Sequence, residues 1–475
     1  MARNPIRDIA QAYINTGMSP TYAIKGLWDV MVQNPKAIEY LRNNGGMGGF
    51  ITGAGDVDEM ARALRKFDNT AAGKKFVDIL KDPQSYNILR PLQMLSEMSE
   101  MGTKTGAYKY FLDKGLSKEE AAYQARDLMD FAMGGTTSKN INKVSTFFNS
   151  QMVGKYKFYR ALKRDPKGVI TRMFIASMIP SLTAVAATKY LGTEEQQAKI
   201  SDAPGWLKNN FYLFPLPGGQ IGRIPKAFES APLSTLFEDV MNYYWNNDPT
   251  AFDNAIKELF EQQGIGLGTI MPTAVKPIVE GAFNYSIFRK APVIPYREKN
   301  PQFTVPSEEQ YDVDTPYIAR ALAGLVQPVA KGLGSENFAS PRVIENLITS
   351  YTGGLGKMGM QAADAALGMT GIVPEKNLPA KDITQMPISG AFLMKSNISG
   401  KSMNTVFEEL NKLSSEKKSL KNKGKELSEA KQGKYQYLSD VATEIGEISE
   451  AIRLYKNDPN YSRTEKKKKI DELIV

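Results

Sequence analysis

Nine basic side chains crowd between Ser138 and Phe174: Lys139, Lys143, Lys155, Lys157, Arg160, Lys163, Arg164, Lys167 and Arg172. A single acid, Asp165, stands among them. That local excess is nearly the whole formal charge of +9 carried by a 475-residue chain. Phe147, Phe148, Tyr156, Phe158, Tyr159 and Phe174 are interleaved with the cations. Cations alternating with rings suit phosphate contact with base stacking, or the polar face of a helix lying on anionic lipid. A surface helix that turns its rings inward and its lysines to water would give the same pattern. The apolar run Met173–Thr188 follows at once, which tilts the reading from nucleic acid toward a membrane surface.

Most catalytic chemistry is excluded by composition. Cysteine and histidine are both absent, so there is no thiolate nucleophile, Ser-His-Asp triad, disulfide scaffold or ordinary zinc site. The pairs Glu97/Glu100 and Glu119/Glu120 read as solvated helix charges, and Glu100 stands four before Lys104 in the favourable order for a helix ion pair. Gly354-Leu-Gly356-Lys-Met-Gly359 matches the spacing of a dinucleotide fingerprint. PRVIENLITSY before it reads as helix rather than strand, so the glycines mark a corner between helices. There is no P-loop. The expectation is a non-enzymatic protein with no cofactor, no metal and no small-molecule substrate.

The elements that must position the basic stretch are helices. Periodic apolar residues mark Glu59–Lys66 and Lys74–Lys81. Ser117 with Glu120 opens a capping box before KEEAAYQARDLMDFAM, whose inner face is Ala121, Ala125, Leu128 and Phe131/Ala132. One small hairpin is expected from Phe211–Phe214 and Gln220–Ile224 about Pro-Leu-Pro-Gly-Gly. Toward the C-terminus, Leu413, Leu420 and Leu427 repeat by sevens, and Leu438, Val441, Ile445, Ile448, Ile452 and Tyr455 form a second stripe. They predict an antiparallel helical hairpin turning at Lys431–Lys434. A last helix, capped by Ser462 and Glu465, carries Lys466–Lys469 as a solvated face.

The fold class expected is therefore all-α and elongated, with one β-hairpin and a C-terminal helical hairpin. Six regions follow: 1–137, N-terminal helices with the Gly-rich loop Asn43–Gly55; 138–200, the basic-aromatic segment with its apolar helix; 201–288, the hairpin and helices. The rest are 289–316, an extended Pro-rich linker; 317–403, helices with Gly/Pro corners; and 404–475, the coiled-coil-like hairpin. MARNPIRDIA has no apolar core, so no secretory signal is expected, and no run of 18 apolar residues exists.

Several local strings resemble one family. MARNPIRD (Met1–Asp8), LSEMSEMGTKTGAYKYFLDKGLSKEEAAYQAR (Leu95–Arg126), FFNSQMVG (Phe147–Gly154), LPGGQIGRIPKAFE (Leu216–Glu229), SPRVIENLITSYTGGLG (Ser340–Gly356) and the ending EKKKKIDELI are similar, in order, to segments of phage and prophage polyvalent proteins. Lys104 stands where that family has Arg. The resemblance is to the large polyvalent protein-associated domain of the helical type numbered thirty-eight.

This resemblance implies a component of a phage or integrated element, packaged in the virion and delivered with the genome. Related internal proteins of short-tailed phages help build the conduit across the host envelope. Expected partners are other virion or ejection proteins, or further copies of the chain, and an anionic membrane surface or a nucleic acid. The expected location is the virion interior, then the host envelope or cytoplasm. The alternative function is a passenger that binds and protects incoming DNA. The family supplies no catalytic residues to carry over. Its chains usually extend upstream of the ARNPIRD segment, so a start at Met1 suggests a split gene, a processed product or a truncated element.

Overall fold

The computed structural model describes residues 4–43, 90–128, 148–246, 275–299, 304–364 and 378–474, apart from short gaps at 33, 333–334, 353–355, 358, 362, 387–388, 396–399 and 423. The Gly-rich loop, Glu59–Lys66, Lys74–Lys81, and Lys139 and Lys143 lie outside the described residues. The chain forms two compact units, each discontinuous in sequence. The first comprises 1–191, 209–214 and 223–273; the second comprises 192–208, 215–222 and 274–475.

The first unit begins with α1 (Asn4–Thr16), α2 (Pro20–Met31) and α3 (Pro35–Arg42). Ser19 and Asn34 cap α2 and α3 through side-chain oxygens, each followed by proline at the first helical position. Then come α4 (Arg90–Asp113) and α5 (Lys118–Asp127). Ser117 Oγ accepts the Glu120 amide at 3.2 Å, as the capping box requires. Ala121, Ala125 and Leu128 are buried on the expected face.

The crossing of α2 and α4 is very close because three glycines meet there. A Cβ on Gly26 would lie 2.2 Å from the Gly102 carbonyl oxygen, and one on Gly106 would lie 2.3 Å from that of Tyr22. Gly102 and Gly106 are spaced as in the small-residue motif that lets helix backbones touch. Around them pack Ala12, Met18, Ala23, Tyr40, Met101 and Tyr108. On the other side of α4, Lys104 is fully buried near Asp8, its Nζ 2.6 Å from Glu100 Oε1, which realises the four-residue ion pair inside the unit. The unit continues with α6 (Phe148–Arg164) and α7 (Pro166–Leu191).

In the second unit Thr193 and Gln196 form a reciprocal capping box that opens α8 (Glu194–Ser201). Gln196 Nε2 then donates to the Leu216 and Gln220 carbonyls, clamping the turn of the hairpin. Between them runs α9 (Gly205–Asn210), followed by β1 (Phe211–Pro215) and β2 (Ile221–Pro225), which form a two-stranded sheet as expected. Gly218 and Gly219 in its turn both have φ of 75°, a conformation that favours glycine. Residues 209–214 of this stretch and everything from Arg223 onward to 273 belong to the first unit, where α10 (Ala231–Asn246) follows β2.

The remainder of the second unit contains α11 (Lys276–Ala282), α12 (Tyr317–Gly332) and α13 (Pro341–Thr352). A helix therefore precedes the Gly354–Gly359 string, and the strand needed by a dinucleotide site is not there. The described residues of 289–316 are extended, with short 3-10 turns, and several of their side chains are enclosed. Val293, Ile294, Val305, Tyr311 and Asp314 are all enclosed. Its charges are consumed by pairing: Arg342 reaches Glu298 at 2.6 Å and Asp312 at 2.8 Å, and Asp314 accepts from Lys357 and Lys395. Against the desolvation that burial imposes, Arg342 holds the Asp312 carboxyl well below the usual range.

The C-terminal helices are α14 (Lys401–Lys421), α15 (Glu429–Asn457) and α16 (Arg463–Ile474). Ion pairs Glu416–Lys431 and Glu409–Lys434 show that α14 and α15 run antiparallel. The turn falls at 422–428 rather than at Lys431–Lys434. Gly424, at φ +66°, provides the left-handed residue, and a lone Gly433 costs a long helix only about 1 kcal/mol. The buried line on α15 is Leu438, Ala442 and Gly446, shifted from the expected stripe, and Ile448 is exposed. Ser462 and Glu465 cap α16 reciprocally, and Lys466 turns inward to the Lys456 carbonyl while Lys467 and Lys468 pair along the surface.

Candidate anionic-surface site

From Phe148 onward the basic stretch folds as α6 and α7, joined at Asp165. Asp165 Oδ1 accepts the Gly168 amide at 2.9 Å, Pro166 occupies the first helical position, and α7 starts there. That backbone hydrogen bond, followed by the Arg172 side chain, keeps the Asp165 carboxyl below its ordinary pKa. Arg172 also donates through Nε to the Ile14 carbonyl at 3.0 Å, so it pins α7 to α1. Ile14, Ala161 and Val169 form the small core beneath, with Phe158, Leu162 and Met173 against it.

The cations divide by environment. Lys157 is 8 % exposed and donates to the Asp127 carbonyl at the C-terminus of α5, where a positive charge complements the helix dipole. Arg160 pairs with the Asp127 carboxylate at 3.3 Å and lies 5.8 Å from the centre of the Tyr156 ring. Arg172 is committed to Asp165 and Ile14. Lys155, Lys163, Arg164 and Lys167 are exposed, and the last three make no ion pair among the described residues. Tyr156 and Tyr159 are exposed beside them, whereas Phe158 faces the core.

The apolar run beyond these cations is one continuous helix. By length and composition α7 could cross a membrane, which the sequence reading did not anticipate from its 16-residue apolar core; 28 % of its apolar stretch is buried. Pro180 deprives the Ala176 carbonyl of its helical donor. The Tyr212 hydroxyl lies 3.4 Å from that carbonyl and also meets Ser234 Oγ at 2.7 Å. Burial pushes the Tyr212 hydroxyl pKa upward, which keeps it a donor.

Amphipathy in α7 is inverted. Ser177 and Ser181 are fully buried against α10, where Ser181 Oγ donates to the Ser234 carbonyl at 2.9 Å and Ser177 Oγ reaches that of Ser230. Equal offsets in these two pairs show that α7 and α10 run parallel. Ile175 and Ile179 are exposed on the opposite side, whereas Phe174, on the stripe of Ser177 and Ser181, meets Phe237 of α10 with ring centres 5.1 Å apart. Pattern reading passed over this seam because it treats serine as a surface residue. Its signal was nonetheless present, as Ser177/Ser181 and Ser230/Ser234 share the small-xxx-small spacing of closely packed helices.

A separate half-buried cluster lies at the start of α1. Gln11 Nε2 donates to Glu229 Oε1 at 2.7 Å, and Arg7 donates to the Lys226 carbonyl while its guanidinium sits 4.4 Å from the centre of the Phe228 ring. Burial, then the Glu100 carboxylate, pushes Asp8 up to about 8, and burial pushes Glu229 up to about 7. Lys226 is itself enclosed and pairs with Glu238 at 2.9 Å.

Among known proteins, residues 198–389 match the family model of large polyvalent protein associated domain 38. No curated protein and no solved structure matches the chain. The matched stretch includes the hairpin and α10 to α13, while α6 and α7 precede it. Residues 198–389 are thus similar to large polyvalent protein associated domain 38, a likeness that suggests a phage-associated protein.

Proposed function

We propose that this protein is a non-enzymatic virion-associated module, carried inside the particle and delivered with the genome, which engages the anionic face of the host envelope. The observation that carries the reading is the pairing of exposed cations on α6 and α7 with an α7 whose apolar residues face outward. Cations draw the surface to anionic headgroups, and exposed isoleucines gain by leaving water once there. Other virion proteins, or further copies of the chain, are the partners in assembly. Support for the non-catalytic part comes from a composition without histidine or cysteine, and from Glu100 being tied to the buried Lys104.

Flotation of the full chain with vesicles tests this. It should float with phosphatidylglycerol-containing vesicles and retain part of its binding in high salt, because apolar burial is not screened. A second reading rests on Tyr156 and Tyr159, which stand exposed beside Lys155 and Lys163 as stacking platforms would. Single-stranded DNA binding that collapses with salt, with no flotation, would favour that passenger role and overturn the first.

A further inference from the structure

Ordinary water-soluble packing puts small polar side chains outside and branched apolar ones inside. The α7–α10 pair reverses this, as its serines bond across a closed seam and Ile175 and Ile179 stand open on the other side of α7. At the far end of the pair, Tyr190 and Tyr244 are each 72 % exposed, and Lys189 donates to the Trp245 carbonyl. The near end holds Lys163, Arg164 and Lys167. From Lys167 to Tyr190 the helix extends roughly 35 Å. The open face is thus an apolar strip with cations at one end and tyrosines with a lysine at the other, the residue types that sit at headgroup level.

We propose that this strip docks flat on a lipid bilayer, with Ile175 and Ile179 among the upper acyl chains and Tyr190 and Tyr244 at the headgroups. The proposal rests on the envelope-engaging function above and specifies the contact. Lying flat is favoured over crossing because α10 carries Glu238 and Asp239, with the buried Lys226 paired beside it. A crossing would take those charges into hydrocarbon. Among the described residues, other sides of α7 are closed by α1, α6 and α10, which leaves one open face, as an interfacial helix needs. A second copy of the chain is a poorer occupant, since it would bring further cations to a rim that is already cationic.

The absence of native cysteine makes single-cysteine labelling clean. An environment-sensitive dye on the full-length Ile179→Cys chain should shift to the blue on anionic vesicles and be quenched by acyl-chain quenchers. Lys167→Cys and Tyr190→Cys should both react with a membrane-impermeant maleimide added outside the vesicles. Flotation with an unshifted dye at position 179 would overturn the docking face and leave the proposed function standing. Position 190 reacting only after vesicle lysis would show crossing and overturn flat docking. Failure to float with any vesicle would overturn both.

Discussion

Replacing Lys163, Arg164 and Lys167 together by Gln isolates the electrostatic part of envelope binding. These three are exposed and unpaired among the described residues, whereas Lys157, Arg160 and Arg172 are spent on Asp127, Asp165 and Ile14. Each cation near an anionic surface contributes about 1 kcal/mol. Removing three should weaken partitioning by about 3 kcal/mol, or roughly 150-fold at 1.4 kcal/mol per tenfold. The fold should tolerate the change, since Lys167 sits in the first turn of α7, where a positive charge opposes the helix dipole. The assay is co-sedimentation with anionic and neutral vesicles at low and high salt. The variant should lose its preference for anionic lipid and retain the weak, salt-resistant part of binding. Lys157→Ala is the control: it removes the donor to the Asp127 carbonyl and should cost about 1–3 kcal/mol of stability with little effect on lipid preference. A loss below about threefold in the triple variant would refute the assignment of those cations to the surface.

Three further outcomes follow from the packing. Gly106→Ala places a Cβ 2.3 Å from the Tyr22 carbonyl oxygen, a backbone atom that cannot swing away, so thermal unfolding should show a loss of about 3 kcal/mol or more. Arg342→Met strands the carboxylates of Glu298 and Asp312 in the second unit and should cost about 3–5 kcal/mol, seen as earlier urea unfolding. Asp8 and Glu229 have folded pKa values of about 8 and about 7, above their ordinary 3.8 and 4.5. Their contribution to stability is therefore fully present below the ordinary values and is lost as pH rises to about 8. Denaturant titrations should find Asp8→Asn/Glu229→Gln less sensitive to pH across that range than the parent; an unchanged slope would contradict the burial of these acids.

Local rules made some elements legible. Ser117 with Glu120, and Ser462 with Glu465, state helix starts in the sequence itself, because the cap oxygen and the orphan amide are three residues apart. Pro-Leu-Pro-Gly-Gly specifies the hairpin for the same reason. Partners distant in sequence were not legible. Nothing near Lys104 or Lys157 announces that each is buried, since Lys104 is enclosed on the side of α4 turned to Asp8 of α1, and Lys157 by Asp127 thirty residues earlier. In 289–316, Pro and charge read as an extended linker, and nothing within it points to its neutralising residue, Arg342, which lies on a later helix. The site itself was half visible. Charge density located α6 and the start of α7, but which cations remain open, and that the apolar face of α7 points outward, depended on the serine seam with α10.

Mass spectrometry of peptides from purified particles of the source phage, with copy number measured against the capsid protein, tests most directly whether this is a delivered virion component. The account predicts peptides from both units inside intact particles. Absence from particles, together with abundance in infected cells, would contradict delivery and leave a role in the cell interior.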